Sequence, residues 1–337
     1  MDNATDVSRS LPFDITRAIV WLTSSGFLIA LNGPCLLVLL KTSSINEITK
    51  VFLTSMTACD LGVAAFFVLP AFGISCAGFW PYGDVFCVIQ AVTVSRFYHA
   101  GTMSLLAVNL ERYVAISWPL RYAQMVTLFR ARVMVGIIWA INMLSLIAMG
   151  FAAQWHIEYI PDRQLCDFDS DEIGLDIFVY FSFITFEAIP LSLTIVLYTR
   201  LVIIARRQAR QIAALERTMA GAMASTSNDN SSSEVRKQPH RLDMKAAMTF
   251  IYVTCALVVA WIPFHVVELR QADSPVGVVF FTNVLLVSNS WWNVAIYYVR
   301  NKAFRRASRK VFANMFPCVS HDPAELITDA TIMTGKA

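Results

Sequence analysis

Five titratable side chains lie within long apolar stretches of the chain: Asp60, Arg96, His99, Glu187 and His265. A charged group at the centre of a bilayer costs at least roughly 2.5–3.5 kcal/mol, so each should face other helices and have a partner there. Each is therefore either a polar packing contact or part of a switch or ligand site. No nucleophile paired with a base and no cluster at metal-ligand spacing stands out, so the pattern favours neither an enzyme nor a metal or cofactor site.

The elements that position these side chains are membrane helices. Hydrophobic residues make up 56% of the 337 residues and charged residues only 15%, which is too apolar for a soluble domain. Seven stretches are long enough to cross a hydrocarbon core of about 30 Å, and in lipid a helix satisfies its own backbone. The sequence therefore predicts an all-α seven-transmembrane helix bundle, with spans one to seven near 18–40, 51–75, 86–110, 133–153, 177–204, 246–267 and 276–299. A small transporter is the alternative, but the internal repeats and broken helices that such proteins favour are not evident.

Basic residues orient the predicted bundle. Of the 27 lysines and arginines, four lie in segments expected outside and one lies within a span. The others lie on or near the opposite side, which the positive-inside rule makes cytoplasmic. We therefore expect a multi-pass plasma-membrane protein with an extracellular N-terminus at 1–17, a membrane domain at 18–316 that includes a disordered third intracellular loop at 223–240, and a cytoplasmic tail at 317–337. Anionic lipid and a cytoplasmic partner explain the basic face without nucleic acid.

Several residues outside the spans predict modifications and membrane contacts. Asn3 begins a glycosylation sequon, although such short matches also occur by chance. Cys87 and Cys166 both face the oxidising side, which favours a disulfide between them. Cys318 is a candidate for palmitoylation, because it follows a basic amphipathic stretch at 301–316 that predicts a helix on the membrane surface.

A series of residues in order along the spans resembles the rhodopsin-like (class A) G-protein-coupled receptors over about 18–316. The inner halves of the helices further resemble the amine and trace-amine branch and orphan receptors near it. The matching positions are Asn32, Asp60, Trp80, Cys87, Glu111, Arg112, Tyr113, Trp139, Pro190, Tyr198, Trp261, Pro263, Asn289, Ser290, Asn293, Tyr297 and Phe304.

The resemblance implies an activation switch at the cytoplasmic end of span three. In the resting state Arg112 would pair with Glu111 and Asp243, and activation would free it to contact a heterotrimeric G protein. An arginine that merely snorkels to the interface is the alternative. Departures from the family pattern, among them Asn293-Val294 in place of Asn-Pro, favour ligand-independent signalling. The switch residues are Asp60, Glu111, Arg112, Tyr113, Tyr198, Asp243, Trp261, Asn293 and Tyr297.

The resemblance also implies a ligand pocket between spans three, five, six and seven. Val94 stands where amine receptors carry an aspartate, so the usual amine salt bridge is missing. Aromatic walls with few polar groups suit a small, largely apolar ligand, although bundle packing would explain them too. An acidic outer loop could steer a cationic ligand, or could simply keep the loop soluble. The candidate pocket residues are Gln90, Val94, Tyr98, Phe168, Ser182, Phe183, Phe186, Trp261, Phe264, His265, Glu268 and Asn283.

Two further expectations concern partners. Arg96 and His99 share a face of span three that should look toward spans four and five. We expect Glu187 to pair with His99, with Arg96 as the less favoured partner and a protonated glutamate bonded to a carbonyl as the alternative. The helical extension of span five and apolar Leu120 favour the stimulatory G protein; arrestin and membrane lipids complete the expected partners.

Overall fold

The computed structural model describes residues 11–43, 45–168, 173–223, 255–256, 258–267, 274–300 and 302–315. Each predicted span carries helix. The bounds are Leu11–Lys41 for span one, Glu47–Ala77 for span two, Gly83–Ser117 for span three, Leu128–Ala152 for span four, Ile173–Phe183 continued through Ile189–Met223 for span five, Val258–Val267 for the described part of span six, and Val276–Arg300 for span seven.

The helices of spans one, two, four, five and seven are long and apolar enough to cross a membrane. The span-three helix is 35 residues long, but polar side chains such as Gln90, Arg96 and His99 lower its hydropathy. A final amphipathic helix, Lys302–Met315, buries Phe304 and Val311 at the stretch predicted for it. The predicted parts 1–17 and 223–240 differ at their edges, since helix begins at Leu11 and continues to Met223.

Local sequence signals set several helix ends. The Asn46 side chain caps span two by accepting a 2.9 Å hydrogen bond from the backbone N–H of Ile48. Thr127 does the same for span four through the N–H of Arg130. Span two ends at Gly78, whose φ of 79° is a left-handed conformation that glycine adopts without steric cost.

Two spans contain one wide π-helical turn each, at Ala64–Val68 in span two and Ile184–Ala188 in span five. A proline follows each turn, Pro70 and Pro190. Proline has no N–H to donate and its ring clashes with the carbonyl four residues back, so the helix just before it must adjust. A π-turn absorbs this adjustment and changes which side chains face the bundle.

A β-hairpin and a disulfide close one end of the bundle, called the disulfide end below. Strand β1, Ile157–Ile160, pairs antiparallel with β2, Leu165–Phe168, and the sequence analysis did not predict either strand. Cys166 of β2 forms the expected disulfide with Cys87 of span three, with Cα atoms 5.3 Å apart. The opposite end of span three carries Arg112 and is called the Arg112 end.

The apolar core has two main parts. The larger part joins the helices from the middle of the bundle to the Arg112 end, and includes Leu39, Phe52, Leu105 and Tyr198. The second lies nearer the disulfide end and contains Trp21, Leu28, Phe67, Val94 and Val287.

Candidate functional site

Glu187 links three helices inside the bundle. It lies on the π-turn of span five, and its side chain is only 12% exposed. His99 of span three approaches with Nε2 3.1 Å from Oε1 of Glu187. His265 of span six contacts the other carboxylate oxygen, Oε2, without the geometry of a hydrogen bond. The structure thus brings together the expected pair and adds His265, which the sequence analysis had placed only in the ligand pocket.

Aromatic rings hold the two histidines in place. The ring of His99 stacks on Phe186 with centroids 4.8 Å apart. The ring of His265 lies between Phe183, at 4.3 Å, and Trp261, at 5.4 Å. Because packing fixes both rings, a movement of span six relative to span five would disturb the contact between His265 and Glu187.

Arg96, the less favoured partner, makes its hydrogen bonds away from Glu187. Its guanidinium donates to Ser145 Oγ at 2.5 Å and to the Asn142 carbonyl at 3.4 Å, both in span four, and also to the neighbouring Ser95 hydroxyl. Arg96 is 2% exposed. It therefore ties span three to span four.

The predicted ligand pocket is gathered only in part. Contacts among aromatic side chains connect Tyr98, Trp261, Phe264 and His265, with Phe183 beside them. Val94 packs in the apolar cluster with Trp21 and Phe67. Ser182 and Asn283 are buried, and Glu268 lies outside the described residues.

Two of the predicted pocket residues have other roles in the structure. Phe168 packs against Met149, Ala153 and Leu175 rather than over the Trp261 aromatics, because the hairpin turns its strand toward the end of span four. The side-chain amide of Gln90 forms hydrogen bonds with the backbone. Its Oε1 accepts from the Cys166 N–H at 2.7 Å, and its Nε2 donates to the Phe66 carbonyl at 2.9 Å. A role for these two side chains in a ligand pocket stays a prediction.

A cavity of about 310 Å³ lies between spans five and six, beside Glu187. Only Phe183, Trp261 and His265 of the predicted pocket reach it. Sequence reasoning missed most of the wall because apolar residues there resemble any lipid-facing surface. The lining residues are Thr102, Phe183, Glu187, Ala188, Leu191, Ser192, Trp261, Ile262, His265 and Val266.

A smaller cavity of about 10 Å³ surrounds Asp60, which gives room for about one water molecule. Asn289, Ser290 and Asn293 of span seven line it with Asp60. Among the described residues, Asp60 Oδ2, Asn289 Oδ1 and Asn293 Oδ1 lack a hydrogen-bond partner although buried. Asn32 of span one donates to the Ser290 carbonyl at 3.1 Å, so this polar group connects spans one, two and seven.

At the Arg112 end, Glu111 and Arg112 form an ion pair with Arg112 Nε 2.7 Å from Glu111 Oε2. Arg112 also donates to the Thr49 hydroxyl of span two. Tyr122, in the loop after span three, donates to Glu111 Oε1 at 2.5 Å. Burial, followed by this bond to Glu111, raises the pKa of Tyr122 to about 12, so the phenol stays a donor at neutral pH.

For the remaining switch residues, the structure shows the contacts of some and does not describe others. Tyr198 of span five donates to Asn109 Oδ1 of span three at 2.7 Å, a partner the sequence analysis did not identify. Tyr113 packs edge-on against Trp118. Tyr297 lies on the span-seven helix, but its side chain is not among those that the structure describes. Asn3, Asp243 and Cys318 also lie outside the described residues.

Comparison with known proteins gives one family and a consistent fold. Residues 31–297 match the family model of the 7 transmembrane receptor (rhodopsin family). The chain is 26% identical to the alpha-1A adrenergic receptor of Cavia porcellus over 92% of this chain and 72% of the relative. It is 26% identical to the human adenosine receptor A2a over 80% of this chain and 65% of the relative. The crystal structure of squid rhodopsin superposes with a TM-score of 0.74 at 18% identity, over 96% of this chain and 91% of that one.

Proposed function

Since this chain belongs to the rhodopsin family of seven-transmembrane receptors, which signal through G proteins, we propose that it couples preferentially to the stimulatory G protein and responds to a small, largely apolar ligand. Its relatives are multi-pass plasma-membrane receptors and not enzymes. The observation that carries the receptor proposal is the ion pair between Glu111 and Arg112 at the end of span three.

In our proposal the disulfide end is extracellular and the Arg112 end cytoplasmic. The disulfide between Cys87 and Cys166 belongs on the oxidising side of the membrane. The basic helix Lys302–Met315 belongs at the opposite surface, where anionic lipid attracts lysine and arginine. The N-terminus, with the Asn3 sequon, is then outside, and Cys318 is inside and available for acylation.

Arg112 serves as the switch in this proposal. Its hydrogen bond to Thr49 joins spans two and three at the Arg112 end, and its ion pair with Glu111 orients the guanidinium. Asp243, which lies outside the described residues, is our proposed further restraint at the base of span six. A few such contacts hold a bistable helix arrangement with an energy that a ligand can overcome. Release of Arg112 then exposes the surface for a G protein, and afterwards for arrestin.

Two surface features support docking of the stimulatory G protein. Leu120 is 96% exposed in the loop after span three, although it is a large apolar side chain. The span-five helix continues to Met223, well beyond its apolar part, which ends at Ile204. The exposed leucine offers an anchor of the kind that fills a partner's pocket, and the helical extension offers additional surface for docking.

The ligand proposal rests on what span three lacks. Val94 is 8% exposed and packs among apolar side chains, so the position offers an amine no counter-ion. The aromatic group around Trp261 and His265 instead suits an apolar ligand. Ligand-independent signalling is the second candidate, because Thr102 places a hydroxyl beside Trp261 in the wall of the cavity.

The test is cyclic AMP accumulation in cells with and without the receptor, before any ligand is added. We expect the receptor to raise cyclic AMP, and Leu120→Ala to reduce that rise several-fold at equal surface expression. Met125→Ala is the matched control, since Met125 is an exposed apolar residue of the same loop. A response seen only in calcium or inhibitory assays would contradict the coupling.

A further inference from the structure

The cavity beside Glu187 opens toward the membrane. Two of its lining residues, Ile262 and Val266 of span six, are 51% and 47% exposed, and Ser192 of span five is exposed as well. Side chains that both line a cavity and face outward form its mouth. The opening therefore lies between two helices, at the level of the span-five π-turn, where lipid surrounds the bundle.

The inner wall of this cavity accepts hydrogen bonds. Among the described residues that line it, Glu187 is the one charged side chain, and His99 and His265 each contact one of its two carboxylate oxygens. An ionised carboxylate accepts at about four lone-pair positions, so the contacts with two histidines leave capacity. The Thr102 hydroxyl donates to the Tyr98 carbonyl, which leaves its own oxygen as another acceptor.

We propose that this cavity binds a neutral amphiphile dissolved in the membrane, such as a medium-chain alcohol or amide, whose O–H or N–H group donates to Glu187. The inference deepens the proposed function, on which it rests for the role of the site in signalling. It assigns a ligand class and an entry route that differ from an approach through the disulfide end.

The route decides between a neutral and a charged head group. A ligand that enters between spans five and six crosses hydrocarbon, where a charged group costs at least roughly 2.5–3.5 kcal/mol. A hydroxyl or amide enters at a lower cost and still gains a charge-assisted hydrogen bond, which is about twice as strong as a neutral one. A carboxylate head is disfavoured because Glu187 would repel it.

The volume of the cavity and its apolar lining fit one short hydrocarbon chain. At roughly 30 Å³ for each non-hydrogen group, the share of a water molecule in the liquid, the 310 Å³ cavity holds about ten groups. Leu191, Ile262 and Val266 offer the apolar surface along which such a chain would lie. A bound molecule would touch spans five and six at once, beside the contact between Glu187 and His265, and so would bias their relative movement.

Photolabelling of the full-length receptor in lipid nanodiscs tests the site without reading signalling. The probe is a decanol with a diazirine at the far end of its chain, and its methyl ether, which lacks the O–H, is the control. We expect the alcohol to label Leu191, Ile262 or Val266 several-fold more than the ether does, as mapped by mass spectrometry. Excess unlabelled 1-decanol should suppress that labelling, while labelling of lipid-facing Leu22 in span one should not change.

Two variants separate the head-group contact from the cavity itself. Glu187→Gln keeps the shape of the side chain and should remove most of the preference for the alcohol. Ile262→Trp fills the mouth without touching Glu187 and should reduce labelling by both probes.

Equal labelling by alcohol and ether would overturn the proposal, and so would labelling that excess 1-decanol does not suppress. Stronger competition by decylamine than by 1-decanol would overturn it as well. A receptor that fails to raise cyclic AMP yet shows saturable labelling would contradict only the proposed coupling.

Discussion

Two of the charged side chains within the bundle, Arg96 and Glu187, have different surroundings. Arg96 donates to a hydroxyl and a carbonyl of span four, groups that do not titrate and that belong to one neighbouring helix. Glu187 meets two histidines, on spans three and six, and borders an open cavity. Arg96 therefore has one arrangement available, whereas Glu187 can exchange partners.

This difference distinguishes Arg96, whose contacts are structural, from Glu187, whose contacts belong to a switch. A buried charge with fixed neutral partners costs free energy to disturb and gains nothing when a helix moves. A carboxylate that contacts histidines on two helices loses one of those contacts when either helix moves, so its energy depends on how the helices are arranged. We therefore expect substitutions at Arg96 to change stability, and substitutions around Glu187 to change signalling.

The largest expected effect is on stability at Arg96. Arg96→Ala should lower the free energy of unfolding by about 3 kcal/mol, because it leaves a cavity where a fully buried large side chain had been. Arg96→Met fills the space without charge and should recover most of the loss. Thermal unfolding of purified receptor measures both. Basal cyclic AMP for each surface receptor should stay unchanged in Arg96→Met, and an altered basal level would remove the distinction drawn here.

A double-mutant cycle sharpens the Glu187 side of the comparison. Glu187→Gln and His99→Ala should be non-additive by about 1–2 kcal/mol in stability, the coupling expected of residues in direct contact. Both should also change basal signalling at matched expression. The same cycle between Glu187→Gln and Arg96→Met serves as the control and should be additive. Strict additivity for Glu187 and His99 would show that their contact carries no energy.

The smallest expected effect concerns the ring that holds His99 in place. Phe186→Leu removes the stacked contact with His99 and should cost about 1 kcal/mol of stability. It should also shift basal signalling in the same direction as His99→Ala, because the imidazole loses its fixed orientation. Phe178→Leu, in the same helix but remote from Glu187, is the control. Equal signalling by the two variants would mean that ring packing at His99 is only structural.

Much of this arrangement could be predicted from the sequence, and the failures have physical causes. The length of the apolar stretches located the spans, and helical spacing placed Arg96 and His99 on one face. The resemblance to the family implied that this face looks toward spans four and five. His265 was missed as a partner of Glu187 because a sequence does not give the depth and rotation of one helix relative to another. The hairpin was missed because its two strands are four residues each and mix charged with apolar side chains. The packing of Phe168 could not be predicted for the same reason, since its direction follows from the hairpin.

The two π-turns have a consequence for how this chain can change by insertion and deletion. Each π-turn contains one residue more than the α-helical turns around it. It is therefore equivalent to the insertion of a single codon into the gene of a regular helix. Loss of one codon within 184–188 would restore the regular ladder and rotate one half of span five by about 100° against the other. The half that carries Leu191 would then turn away from the half that carries Phe183, although both residues line the cavity. The same loss within 64–68 would turn the half of span two that carries Asp60 against the half that carries Ser75, so the length of the gene is constrained at both places.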